Sequence, residues 1–239
     1  MSRVLLVRHA QASFLEPDYD KLSPLGETQA RHLGKYWARH RVSFDRTFSG
    51  PCVRQRDTAR IVSEAYLDAG LNFPDPIVMQ EFDEYQGEAV LVKALPQLVE
   101  TDATIRALHQ QFLSVRTPAD RTKPFQKMFE AVIRKWVGGE ISVPGVESWA
   151  EFCARVNSGL SRFLSGAKRS EQSAIFCSGG PIAVAVQRAL NLSPADTLRI
   201  AWMSRNCSYS EFIYSGDRFT LSSFNALPHL DDESLLTYR

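Results

Sequence analysis

Val4-Leu5-Leu6-Val7 is an unbroken apolar run that stops at Arg8-His9. So short a stretch of aliphatic and β-branched residues predicts an interior strand of a parallel sheet, covered on both faces. Ala174 to Cys177 has the same character, and Thr47-Phe48-Ser49 predicts a shorter strand. Between these runs the period changes. Leu25, Ala30, Leu33 and Trp37 recur at helical spacing behind Pro24, while Thr58, Ile61, Val62 and Ala65 mark one face of a helix from Arg54 to Leu67. Trp149, Phe152, Cys153, Val156, Leu160, Phe163 and Leu164 predict a strongly amphipathic helix. Ser178-Gly179-Gly180 reads as a tight turn before a helix from Pro181 to Leu190. Two closing strands, Ser208 to Tyr214 and Phe219 to Phe224, joined by a Ser215-Gly216-Asp217 turn, predict an antiparallel edge.

The middle of the chain differs. Leu91 to Leu113 and Phe125 to Val137 carry helical patterns separated by the polar stretch Arg116 to Lys123, and Gly138-Gly139 ends the second. Phe125, Met128, Phe129, Val132, Ile133 and Trp136 form an apolar stripe, ordinarily core, with a substrate lid as the sharper reading. Strands alternating with helices place the chain in the α/β class, as a three-layer, mostly parallel central sheet flanked by helices. The expected organisation is a single domain over 1–239, with a helical cap insertion at 88–144.

Composition narrows the partners. The chain has 239 residues, 44% of them hydrophobic, enough for one substantial core. Its 28 Lys and Arg against 27 Asp and Glu point to neither a nucleic acid nor a membrane surface. Cys52, Cys153, Cys177 and Cys207 are widely spaced and lack a C-x-x-C pair, so they are expected as small buried residues in a reducing compartment, with no metal and no cofactor. The amino-terminal apolar run is too short for a signal-peptide core, and the expected location is cytoplasmic. Nothing in the pattern indicates a homo-oligomer.

Ligands of open α/β sheets bind beyond the carboxyl ends of the strands, which is where Arg8 and His9 fall. Gly179 and Gly180 at a helix start offer backbone N–H groups to an anion. An Arg-His pair at a strand end is by itself a weak signal. Its company is more specific: Ser23-Pro24-Leu25-Gly26 with Gln29-Ala30, Arg54 ahead of Thr58-Ala59, Glu81, Ser178-Gly179-Gly180-Pro181, Asn206 and His229. In order and spacing these residues resemble the histidine phosphatase (phosphoglycerate mutase-like) superfamily, from residue 3 to about residue 230, with a poorer match between Gly87 and Pro144.

The resemblance implies a metal-independent phosphatase acting on a small phosphomonoester through a phosphohistidine on His9. It makes Arg8 and Arg54 the phosphate-binding cations and Glu81 the general acid. Asp83 and Glu84 share the same acidic segment, and the residues alone do not choose among the three. Gln11 and Ser13 are further polar candidates for phosphate, and His229, Ser49 and Asn206 read as scaffold. Ser178 stands where the family carries its second histidine. A hydroxyl donates one hydrogen bond but carries no charge, and losing a well-placed donor costs about 2.7–4 kcal/mol, so turnover is expected to be weakened. A phospholigand-binding or regulatory protein is the alternative from another class. A mutase is disfavoured because that branch carries an extended motif ending in Trp-Asn, where this chain runs Gln11-Ala12-Ser13-Phe14. A serine hydrolase using Ser178 is disfavoured because Phe176 occupies the position where a nucleophile elbow needs glycine.

Overall fold

The computed structural model describes residues 1–13, 20–216 and 218–238; Phe14 and Asp217 lie outside them. Among the described residues, six strands form one mixed sheet in the order β3-β2-β4-β1-β5-β6. They are β1 (Ser2–Arg8), β2 (Arg46–Ser49), β3 (Ile77–Val78), β4 (Gln172–Cys177), β5 (Tyr209–Ser215) and β6 (Arg218–Ala226). The first four run parallel; β5 and β6 complete the sheet antiparallel, as the closing strands predict. β1 and β4 are adjacent, with Leu6 opposite Ile175 and Arg8 opposite Cys177. Their central side chains are buried on both faces, which explains why both read as continuous apolar runs.

Strand alternation sends Leu5, Val7, Ala174 and Phe176 to one face, where α1 (Pro24–Arg39) and α2 (Val53–Asp68) supply Leu33, Trp37, Ile61, Val62 and Tyr66. The two helices approach closely at Gly34, where a Cβ would lie 2.7 Å from that of Ala65. On the other face Phe163 of α6 (Trp149–Ser165) meets Phe48 and Tyr214 edge-on, at 5.5 and 5.7 Å between centroids. α7 (Gly179–Leu190) and α8 (Pro194–Met203) follow β4.

In the sheet and the helices that follow it, three details differ from the sequence pattern. β3 has two residues, both exposed, so no apolar run announces it. α8 carries a capping signal rather than a long stripe: Ser193 Oγ accepts from the Asp196 N–H and Pro194 occupies the first turn. The expected glycine turn is absent, because α7 begins at Gly179 itself with Ser178 extended as its N-cap.

Residues Tyr85–Ala154 form a second compact unit. It contains α3 (Gly87–Thr101), α4 (Ala103–Ser114) and α5 (Pro118–Val137). The single helix expected from Leu91 to Leu113 is broken at Asp102, whose carboxylate accepts from the N–H groups of Thr104 and Ile105 and so starts a new helix. The polar stretch expected to separate the helices instead falls largely within α5, whose start Pro118 favours. Met128, Val132, Ile133 and Trp136 are buried, as the stripe's core role requires.

At the start of the sheet the buried Glu171 accepts from Arg46 Nε and Nη2 at 2.8 and 2.6 Å, and Arg46 lies 5.2 Å from the rings of both Phe48 and Phe163. Arg46→Ala is expected to cost about 3–5 kcal/mol, because it strands a buried carboxylate. Urea unfolding checks this, and adding Glu171→Gln should recover part of the loss.

Candidate active site

His9 follows β1 and is 5% exposed. Its Nδ1 lies 2.8 Å from the Ala10 carbonyl oxygen; a carbonyl can only accept, so Nδ1 carries the proton. Arg54 Nε–H then donates to Nε2 at 3.2 Å, which makes the imidazole neutral with its lone pair on Nε2. Burial, then the positive charges of Arg54 and Arg8, hold the His9 pKa well below the usual histidine value. The backbone is clamped as firmly. His9 N–H donates to the Cys177 carbonyl, the His9 carbonyl accepts from Cys207 N–H and Asn206 Nδ2, and Ala10 N–H donates to Thr58 Oγ1 on α2. The motif residues Thr58 and Asn206 therefore act on the loop that carries His9.

Gln11 and Ser13 serve the same loop. Gln11 N–H donates to Gln29 Oε1, its side-chain oxygen accepts from Ser23 Oγ at 2.8 Å, and Ser13 Oγ donates to the Leu22 carbonyl. These contacts tie the loop to the start of α1, so both side chains are engaged within the scaffold.

Arg8 Nη1 donates to the Ser204 carbonyl at the end of α8. Gly179 lies beside it: a Cβ there would be 3.8 Å from Arg8 Nε but only 3.0 Å from the Ala201 carbonyl oxygen, so glycine lets the start of α7 pack against the backbone of α8. Arg54, in the first turn of α2, is 8% exposed and pairs through Nη1 with Asp20 Oδ1 at 2.6 Å. Asp20 Oδ2 also accepts the Val53 N–H, so one carboxylate occupies a guanidinium and a helix N-terminus, the donors a phosphoryl oxygen would use. Asp20 was not singled out from the sequence, where an isolated loop carboxylate gives no periodic signal.

The three neighbouring carboxylates go to different places. Glu81, in a 3-10 turn over Gln80–Phe82, pairs with Arg162 Nη2 at 2.8 Å on α6. Asp83 accepts from the Cys52 thiol and from the Glu84 N–H. Glu84 Oε2 accepts from the Gly180 N–H at 3.1 Å, at the N-terminus of α7. Burial, and then the Glu84 charge, push the Cys177 thiol well up. The carboxylate brought to the glycine junction is thus Glu84, while Glu81 is held by Arg162. Ser178 is fully buried, and its Oγ accepts from Gln55 Nε2 at 2.8 Å. Among the described residues no group of three His, Cys, Asp or Glu is arranged to hold a metal ion, and no helix is long and apolar enough to cross a membrane.

His229 lies apart from this set, 6% exposed and stacked on Tyr209 at 6.3 Å. Neither ring nitrogen makes a well-formed hydrogen bond among the described residues, although a weak Cys207 backbone interaction favours the charged form. Burial, then His32, lowers its pKa to about 3. Because the folded value lies below the unfolded one, this contribution is present above about pH 6.5 and lost as pH falls toward 3, at about 1.4 kcal/mol per unit. Wild type should therefore lose roughly 1.5 kcal/mol more than His229→Phe between pH 6.5 and 5, measured by urea unfolding at each pH.

The sequence matches the family model of the histidine phosphatase superfamily (branch 1) over residues 4–88 and 91–227. No curated protein matches the chain. Among solved structures, phosphoserine phosphatase from Entamoeba histolytica is similar with a TM-score of 0.62 at 16% identity, covering 96% of this chain and 100% of that one. Alpha-ribazole phosphatase from Shigella flexneri gives 0.61 at 18%, covering 94% and 96%. Phosphoglycerate mutase from Bacillus anthracis gives 0.60 at 14%, covering 96% and 95%. At these identities the likeness speaks for the fold, which phosphatases and a mutase share. With the family model spanning nearly the whole chain, this protein belongs to the histidine phosphatase superfamily.

Proposed function

We propose that the protein hydrolyses a small phosphomonoester through a phosphohistidine on His9. The observation that carries this reading is the neutral His9 imidazole, its Nε2 lone pair directed at Arg54. A neutral imidazole is a competent nucleophile, and two guanidinium groups offset phosphoryl charge without a metal. On substrate binding Arg54 Nε exchanges its bond to Nε2 for one to a phosphoryl oxygen, and Arg8 takes another. His9 Nε2 attacks phosphorus as the ester P–O bond breaks. The departing alkoxide takes a proton from the Glu84 carboxyl, which enters the cycle protonated. Water then attacks the phosphohistidine, its proton returns to Glu84, and inorganic phosphate leaves.

Assigning the proton to Glu84 rather than to Glu81, at the position implied by resemblance, rests on the Glu84 bond to Gly180 N–H and on the Arg162 pair that engages Glu81. Ser178 supplies one hydroxyl where the family's second histidine would supply a cation, so turnover is slower than with that histidine. The phosphatase reading gains support from relatives of the same fold named as phosphatases. A radiolabelled phosphomonoester, rapidly quenched, should leave an acid-labile, alkali-stable phosphoryl label on wild type and none on His9→Ala. Phosphate binding without either label or turnover would instead identify a phospholigand-binding protein.

A further inference from the structure

Gln55 is fully buried in the first turn of α2 and is absent from the motif residues that carry the family resemblance. Its amide is fixed by its neighbours. Oε1 accepts from Cys52 N–H at 3.1 Å, and Nε2 donates to the Phe82 carbonyl at 3.2 Å and to Ser178 Oγ at 2.8 Å. Exchanging the amide oxygen and nitrogen would set an NH2 against the Cys52 N–H and an oxygen against the Phe82 oxygen, two repulsive contacts, so the orientation is determined. Gly50 is required for it, since a Cβ there would overlap Gln55 Oε1.

The consequence falls on Ser178. With an N–H directed at its oxygen, the hydroxyl must accept from Gln55, and its own proton points elsewhere. That proton has no acceptor among the described residues, although Ser178 is fully buried. A buried donor without a partner costs free energy unless something else accepts from it. Ser178 follows Cys177, which lies opposite Arg8 in the strand register and whose carbonyl receives the His9 N–H. The unused proton therefore belongs to a residue at the strand end beside the nucleophile.

We propose that Gln55 is a positioning residue: by donating to Ser178 Oγ it commits the serine hydroxyl to donate to the phosphoryl group during transfer from and to His9. This rests on the phosphohistidine reading above. Without Gln55 the hydroxyl rotates freely, and a glutamate there would accept the serine proton and withdraw it from the substrate.

The test is a double-mutant cycle read as kcat and KM on one phosphomonoester, run once wild type turns over and His9→Ala does not. Ser178→Ala is expected to lower kcat by about 10²-fold with KM within about threefold. Gln55→Met should lower kcat by about tenfold or more, and should add nothing in the Ser178→Ala background. Gln55→Glu, which retains side-chain shape, should fall to the Ser178→Ala level and again add nothing to it. Equal losses with and without Ser178 would make Gln55 a structural residue and overturn the proposal, as would full activity of either Gln55 variant. If Gln55→Met does not fold, Gln55→Leu, which also removes the donor without setting an oxygen against the Phe82 carbonyl, takes its place in the cycle. Persistent turnover in His9→Ala would defeat the phosphohistidine reading instead, and is seen before the cycle begins.

Discussion

His9→Ala is expected to lower kcat by roughly 10⁴-fold or more, about 5.5 kcal/mol of lost transition-state stabilisation, while leaving phosphate affinity within about tenfold. The two effects separate because different groups produce them. In the proposed mechanism His9 forms the bond to phosphorus, so its loss leaves only direct attack by water. The proposal gives binding to Arg8 and Arg54, and removing the imidazole releases Arg54 Nε from Nε2 and so makes that donor available to the anion. The fold should tolerate the change, since the loop is held by backbone bonds from His9 and Ala10 to Cys177, Cys207 and Thr58. Steady-state hydrolysis of para-nitrophenyl phosphate without added metal, together with calorimetric titration of phosphate, measures both quantities. Unchanged hydrolysis would sink the assignment, and a parallel collapse of binding would show that His9 organises the arginine pair.

Glu84→Gln is expected to lower kcat by about 10²–10⁴-fold on an alkyl phosphate, against a change within about threefold for Glu81→Gln. The alkyl substrate matters. A nitrophenolate leaves readily without a proton, so para-nitrophenyl phosphate should show a much smaller loss, and the ratio between the two substrates isolates the proton-transfer role from any general damage. Glutamine can still accept the Gly180 N–H through its neutral amide oxygen and keeps the side-chain volume, so only the charge at the helix N-terminus is lost and a large stability loss is not expected. The reverse ranking, with Glu81→Gln inactive, would mean that the pair with Arg162 opens when substrate arrives.

The comparison between pattern and fold shows where local information ends. β1 and β4 are legible because burial on both faces forces every position to be apolar, and α1, α2 and α6 because a helix facing the sheet must repeat its apolar residues each turn. The break at Asp102 was hidden because the apolar pattern continues through it, although one carboxylate turning back on two N–H groups is enough to start a new helix. α8 carries no legible stripe because its signal lies in a cap and a proline.

For the site, short-range periodicity and chain order are enough to put Arg8 and His9 at the end of an interior strand and Arg54 at the opening of a helix. Long-range packing is what sets Glu84 against the glycine junction, Asp20 on Arg54, Gln55 on Ser178, and His9 in its neutral form. Each of these turns on partners far apart in the chain: Glu84 meets Gly180 across 96 residues, Gln55 meets Ser178 across 123, and Arg54 meets Asp20 across 34. Hydrogen-bond direction and pKa depend on which donor, charge or wall of low dielectric a side chain meets, and those neighbours are assigned only when the sheet brings its strand ends together.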